Sequence, residues 1–354
     1  MTYILGIESS CDETAAAIVT NVVADAGKSL PADRILSNVI YSQIEEHKKF
    51  QGVLPEVAAR AHLDKIDVVV KKALTDAGLE LADLDAIAAT CGPGLIGGVI
   101  VGATFAKTMA MALKIPFIAV NHIEAHAISI RLVERIEFPY LLILMSGGHC
   151  VSCVVHDINK FEIIGKTLDD SAGESFDKVS KLLGFGYPGG PIIEEKSKLG
   201  NADYFQLPHP LCNSHSMDFS FSGLKTAVLL ASENCKNQQD KLDLCASFQK
   251  TVAEIFAYKL DQALRFCTNI SINGVVIAGG VAANSYIKNS LSQVCNEHGM
   301  KFYFPPKELC TDNGAMIAWL GIEKFQQNQV DKLDFPIAPC WPLGTQIDSN
   351  RKRW

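Results

Sequence analysis

The sequence predicts an α/β protein built from two related halves, and three observations lead there. An apolar strand, a small polar turn and an apolar return strand occur at Tyr3–Ile7, Glu8–Thr14 and Ala15–Val19. The same form recurs at Tyr140–Met145, Ser146–His149 and Cys150–His156, as an internal duplication would produce. Between and after these units, short apolar runs alternate with helical periodicity, punctuated by Gly and Pro. With 354 residues, 48% of them hydrophobic, the chain is long enough for two domains of ordinary size.

In chain order, Ile35–Tyr41 reads as a strand, and Leu54–Ala77 as a helix with Pro55 near its start and Gly78 just past its end. Leu84–Thr90 is a strand that runs into the Cys91-Gly92-Pro93-Gly94 loop. Gly97–Leu113 is then a helix, and Phe117–Asn121 a buried strand. Ile128–Glu137 is more charged and suits a hinge. The second half continues with strand Phe161–Lys166, helix Ala172–Leu183 and the loop Gly184–Pro191. An irregular excursion follows over Leu199–Phe221, including His215, and then helices over Gly223–Ser232 and Leu242–Phe266. Strand Gly274–Ala278, turn Gly279-Gly280, helix Val281–Cys295 with Asn284 in its first turn, strand Lys301–Phe304 and helix Ala315–Gln326 complete the pattern. The basic end, Arg351-Lys352-Arg353-Trp354, suits a frayed terminus better than a phosphate contact.

Composition narrows the function classes. A formal net charge of −7 leaves no overall electrostatic footprint for nucleic acid, so such a partner needs a local basic patch or a helper subunit. The opening Met-Thr-Tyr-Ile-Leu has no basic n-region or cleavage site, which predicts a cytoplasmic protein. Leu95–Val120 is the most membrane-like stretch. It is interrupted by Lys107, Lys114 and Pro116 and rich in Gly and Ala, which predicts a helix packed on a sheet, and no membrane. Eleven cysteines without framework spacing predict reduced, mostly buried thiols. Cys150 and Cys153 would point to opposite faces of their strand.

The chemistry concentrates in three places. Asn121 is a good N-cap for a helix starting at His122, and on that helix His122 and His126 share one face. The pair reads either as a two-histidine metal clip or as capped surface histidines. Polar or glycine turns end strands at Glu8–Thr14, Ser146–His149 and Gly279-Gly280, where backbone N–H groups can face phosphate oxygens, although each glycine pair is also an ordinary tight turn. Carboxylates cluster at Asp12-Glu13, at Asp169-Asp170 with Glu174 and Asp177, and at Asp312. Asp312 reads as a ligand at a helix start or as an N-cap.

Ten motifs in order resemble the TsaD family, the tRNA adenosine threonylcarbamoyltransferases. They include Gly6-Ile7-Glu8-Ser9-Ser10-Cys11-Asp12-Glu13-Thr14, Leu54-Pro55-Glu56-Val57-Ala58, Asn121-His122-Ile123-Glu124-Ala125-His126, Ser146-Gly147-Gly148-His149, Tyr187-Pro188-Gly189-Gly190-Pro191, Phe219-Ser220-Phe221-Ser222-Gly223 and Thr311-Asp312-Asn313-Gly314. The resemblance implies an actin-like (ASKHA, ribonuclease H-like) duplicated fold with the site in an interdomain cleft. It divides the chain into an N-terminal domain over 1–134 completed by the helix around 312–326, a C-terminal domain over 135–311 and a tail over 331–354. The implied activity moves the threonylcarbamoyl group from threonylcarbamoyl-adenylate to N6 of adenosine 37 in tRNAs reading codons that begin with A, releasing AMP. His122, His126 and Asp312 would hold one Fe(2+), with Zn(2+) a possible alternative. Met145, Ser146, Gly147, Gly148, His149, Asp177, Gly190 and Asn284 would contact the adenylate. Asp12 or Glu13 would orient a water or accept the amine proton. The implied partners are tRNA, a paralogous TsaB-type subunit and a TsaE-type P-loop ATPase. Ala125 departs from the glycine common in the family; its methyl suits a helix.

Two rivals belong to other classes. A zinc metallopeptidase needs its glutamate directly after the first histidine, whereas Glu124 lies two positions on, roughly 200° round the helix. A non-catalytic ASKHA nucleotide-binding subunit, or a sugar kinase of that superfamily, has no use for paired imidazoles.

Overall fold

Continuous runs of small and β-branched apolar residues, such as Ala15-Ala16-Ala17-Ile18-Val19, suit strands buried on both faces, and two sheets are built from such runs. The computed structural model describes residues 1–22, 31–214 and 216–347; His215 and Arg351–Trp354 lie outside the described residues. The chain divides into two compact units. The first comprises Met1–Arg135, Ile158–Lys160 and the chain from Thr311 onward, and the second Ile136–Asp157 and Phe161–Cys310.

In the first unit, β1 (Tyr3–Glu8), β2 (Glu13–Thr20), β3 (Ile35–Ser42), β4 (Ala86–Gly92) and β5 (Phe117–Asn121) form one sheet in the order β3-β2-β1-β4-β5. The β1–β2 and β2–β3 pairs are antiparallel, and β1–β4 and β4–β5 are parallel. In the second unit, β6 (Tyr140–Met145), β7 (Cys150–Asp157), β8 (Lys160–Lys166), β9 (Val275–Ala278) and β10 (Phe302–Tyr303) are ordered β10-β9-β6-β7-β8. Counted within its own sheet and read from β3 in the first and from β8 in the second, each runs third, second, first, fourth, fifth. This is the duplicated α/β arrangement that the recurring strand-turn-strand units predict.

The Pro55–Ala77 helix starts with Pro55 in its first turn, where the missing N–H costs nothing, and ends on Gly78 at φ 68°. The Ile96–Leu113 helix, among the described residues the one long and apolar enough to cross a membrane by length and composition, buries Gly98, Val99, Gly102, Ala103, Ala106 and Ala110 and packs on β4. The Gly314–Gln326 helix is largely buried, packing on β1, β2 and the His122–Ile128 helix. Gly6 and Gly314 permit this. A Cβ on Gly6 would stand 2.3 Å from the Ala318 nitrogen, and one on Gly314 2.5 Å from the Ala17 nitrogen. Residues after the helix join the same unit: Asp331 bridges to Phe117, and Ala338 and Trp341 enter its core.

Two local readings change in the second unit. The stretch expected as loop through Pro191 opens a helix, Gly189–Ser197, because Pro188 stands before it and Pro191 lies in its first turn, where no intrahelical donor is needed. The helix expected from Val281 begins instead at Ser285, after a 3-10 turn over Gly280–Ala283. Asn284 is therefore its N-cap and not part of its first turn, its side chain accepting from Ile287 N at 3.1 Å.

Candidate functional site

β5 delivers Asn121, whose Oδ1 accepts from Ile123 N at 2.9 Å and Glu124 N at 3.3 Å, and so caps the His122–Ile128 helix. That places both imidazoles on one face, with ring centroids 4.8 Å apart. They are not surface histidines: His122 is 6% exposed and His126 1%. Asp312 comes to them from the end of the chain, its Oδ1 lying 3.0 Å from His126 Nε2 and 3.5 Å from His122 Nε2. The N-cap reading of Asp312 is displaced by Asn313, whose side chain accepts from Met316 N at 3.0 Å. One ligand atom from each of His122, His126 and Asp312 lies within 4.8 Å of the others.

Glu8, at the end of β1, backs this cluster, and local sequence marked it only as part of a polar turn. Its Oε2 accepts from Thr90 Oγ1 at 2.6 Å and meets His122 Nδ1 at 2.9 Å, and its Oε1 accepts from Ser10 N at 2.6 Å. A carboxylate on Nδ1 fixes the tautomer that turns the Nε2 lone pair outward, as carboxylate–histidine–metal triads require. Burial opposes ionisation of both groups. The His122 interaction outweighs it and holds Glu8 below its ordinary value, while Asp312 and then Glu8 outweigh it at His122 and push that ring up to about 9. Two carboxylates thus make this spot favour a positive charge, and the donor set of two imidazoles and one carboxylate suits a first-row divalent ion. The Nδ1 of His126 is buried without a hydrogen-bond partner.

Asp12 and Glu13 share this unit. Burial first, then the charges of Asp12 and Asp312, raise the Glu13 carboxyl well above its ordinary value. His62, buried, braces the same turn through Thr14 Oγ1 at 2.8 Å and the Cys11 carbonyl at 3.1 Å, and burial lowers its basicity. Glu124 lies on the far side of the histidine helix: its Oε1 accepts from Gly344 N at 3.3 Å, and its Oε2 lies 4.0 Å from Lys324 Nζ.

In the second unit the turn after β6 is closed by Ser146 N donating to the His149 carbonyl at 2.8 Å and His149 N donating to Ser146 Oγ at 3.0 Å. Gly147 and Gly148 face open space, with nothing within 4 Å of a Cβ at either position. Three other predicted residues sit beside it or are linked to its neighbours. The Ala172–Leu182 helix starts against the turn through Gly173 N and the Ser146 carbonyl at 3.3 Å, and it carries Asp177. Asp177 Oδ1 accepts from Gly189 N at 2.6 Å, next to Gly190, which is also open. Gly279, at φ 92°, packs so close to Met145 that a Cβ would be 2.4 Å from its carbonyl oxygen, and it leads to Asn284, whose Nδ2 donates to Gln249 Oε1 at 2.8 Å.

The TsaD family profile, described as tRNA N6-adenosine threonylcarbamoyltransferase, matches residues 34–319. The chain belongs to the TsaD family. By that membership it is a transferase of the acyltransferase class. A tRNA N6-adenosine threonylcarbamoyltransferase of Methylocapsa acidiphila is 49% identical over 350 residues, covering 98% of each chain. One from Brucella anthropi is 49% identical over 346 residues, covering 96% of this chain and 95% of its own. Among solved structures, full-length HypF aligns with a TM-score of 0.59 at 16% identity, over 92% of this chain and 46% of HypF, and HypF of T. kodakarensis with 0.57 at 15%, over 93% and 48%. This chain spans about half the length of either HypF, and the likeness concerns the ASKHA fold alone.

Proposed function

We propose that the chain transfers the threonylcarbamoyl group of threonylcarbamoyl-adenylate to N6 of adenosine 37 in tRNAs that read codons beginning with A. The observation that carries this reading is the convergence of His122, His126 and Asp312, with Glu8 behind His122. These three residues would hold Fe(2+), or Zn(2+) in its place, and the bound ion would supply Lewis-acid polarisation of the carbamoyl carbonyl.

The remaining work falls to the chain's own groups. Glu8 keeps His122 oriented with Nε2 forward. The Met145–His149 turn, Gly190 and Asn284 receive the adenylate, and open glycines allow backbone N–H groups to approach phosphate oxygens closely. Asp177, already oriented by Gly189 N, accepts from a ribose hydroxyl. The amine attacks the carbamoyl carbon, the bond from that carbon to the phosphate oxygen breaks, and AMP leaves with the electron pair. Glu13, its basicity raised by burial and its acidic neighbours, or Asp12 takes the amine proton. A TsaB-type subunit and a TsaE-type ATPase complete the system in the cytoplasm, and with a net charge of −7 the tRNA is met by a composite surface.

The test is mass spectrometry of tRNA nucleosides after reconstitution with threonine, bicarbonate, ATP, the adenylate-forming enzyme and the partner proteins, with and without Fe(2+). His126→Ala should abolish the modified nucleoside while adenylate synthesis continues. Undiminished modification by that variant sinks the metal role.

A further inference from the structure

β5 is an edge strand of the first sheet, so its outer N–H and C=O groups need partners. They find them in the segment from Lys324 to Gly344. Asp331 N donates to the Phe117 carbonyl at 2.8 Å, and Asp331 Oδ2 accepts from Ala119 N at 2.8 Å. Lys324 Nζ donates to the Ala119 carbonyl at 3.0 Å. The contacts continue past the strand: Asn121 Nδ2 donates to the Trp341 carbonyl at 3.0 Å, and Gly344 N donates to Glu124 Oε1 at 3.3 Å. The residue that caps the histidine helix is therefore gripped from behind through its Nδ2, while its Oδ1 sets the first turn.

A pocket of ≈ 240 Å³ beside these contacts is lined among others by Glu124, Lys324, Asp331, Trp341 and Gly344, while Trp341 itself is packed in the core. Lys324 also sits on the Gly314–Gln326 helix that begins just after Asp312, so one ammonium ties the strand before His122 to the helix behind Asp312.

We infer that Lys324 and the segment through Gly344 brace the donor cluster, acting through Asn121 and Glu124 to hold His122 and His126 at the spacing that Asp312 requires. Lys324, Asn121 and Glu124 are positioning residues, on the side of the helix away from the donors. The inference rests on the metal reading proposed above.

The test is a titration of chelator-treated full-length protein with Co(2+), followed by its visible absorption bands. Lys324→Met should weaken Co(2+) binding about tenfold, the lower end of the effect of outer partners on a metal site, and shift the bands; Lys324→Arg should restore both. Glu124→Gln, which keeps an acceptor for Gly344 N, should show a smaller change in the same direction. Val69→Ala, a core change elsewhere in this unit, should lower the melting temperature without moving the titration. A Lys324→Met protein that titrates as wild type, or a Val69→Ala protein that weakens Co(2+) as much, overturns the brace. If wild type shows no site that His122→Ala removes, the metal reading itself fails, and the brace with it.

Discussion

The two sheets share one strand order, yet the turn after their first strands is made of opposite materials. Glu8, the last residue of β1, is followed by Ser9-Ser10-Cys11-Asp12; Glu8, Ser9, Ser10 and Asp12 are buried, and Glu8 reaches Thr90, Ser10 and His122. After β6 comes Ser146-Gly147-Gly148-His149, whose two glycines face open space. Small residues meet different surroundings in the two units: a Cβ at Gly6 or Gly314 would run into neighbouring backbone, whereas one at Gly147 or Gly148 would meet nothing within 4 Å. A duplicated scaffold thus carries a buried cluster of imidazoles and carboxylates on one copy and an open backbone turn on the other.

The sharpest break of this contrast is Gly314→Ala. Its Cβ would meet Ala16 and Ala17 backbone at 2.5–2.6 Å, so the helix behind Asp312 must shift. We expect a loss of about 3 kcal/mol in urea unfolding, together with loss of the donor cluster. Next is Glu8→Gln, which keeps shape but removes the charge that holds His122. Metal affinity should fall roughly 10–100-fold by competition with a chromophoric chelator, and an unchanged affinity would show that Glu8 is structural only. Gly148→Ala should do the reverse of Gly314→Ala, changing stability by less than about 0.5 kcal/mol while raising the KM for the adenylate. If it unfolds the protein instead, the turn is not an open ligand site.

The smallest expected effect concerns the segment ahead of the Asp177 helix. Burial would raise the Asp170 carboxyl, but hydrogen bonds from Lys225 and Lys178, the latter at 2.9 Å, hold it below the ordinary carboxylate range. A depressed carboxylate adds stability above its unfolded pKa of about 3.9, and that stability is lost as pH falls through the lower folded value. Both lysines are partly exposed, so the contribution is small, about 1 kcal/mol. Asp170→Asn should lower the melting temperature at pH 7, and the variant and wild-type curves should converge as pH falls from about 4 through the lower folded value.

Short-range pattern carried a large part of this molecule. The duplicated strand-turn-strand units, the Asn121 cap and the shared face of His122 and His126 are all set within a few residues by strand period, cap chemistry and helix period, and all are readable in order along the chain. The wrong face for Glu124 as a protease base follows from the same helical arithmetic. What pattern alone left open was settled by contacts between distant residues. Asp312 meets His126 across 186 positions and Glu8 meets His122 across 114, and the local sequence at Asp312 suited an N-cap equally well until Asn313 proved to hold that place. The helix at Gly189 was hidden because its proline and glycines look like a turn, and its start is stabilised by Asp177, twelve residues earlier. Sequence by itself determined which side chains could bind a cation or a phosphate; tertiary structure decided which of them are neighbours, because burial of charge is tolerable only where a partner from elsewhere in the chain arrives to balance it.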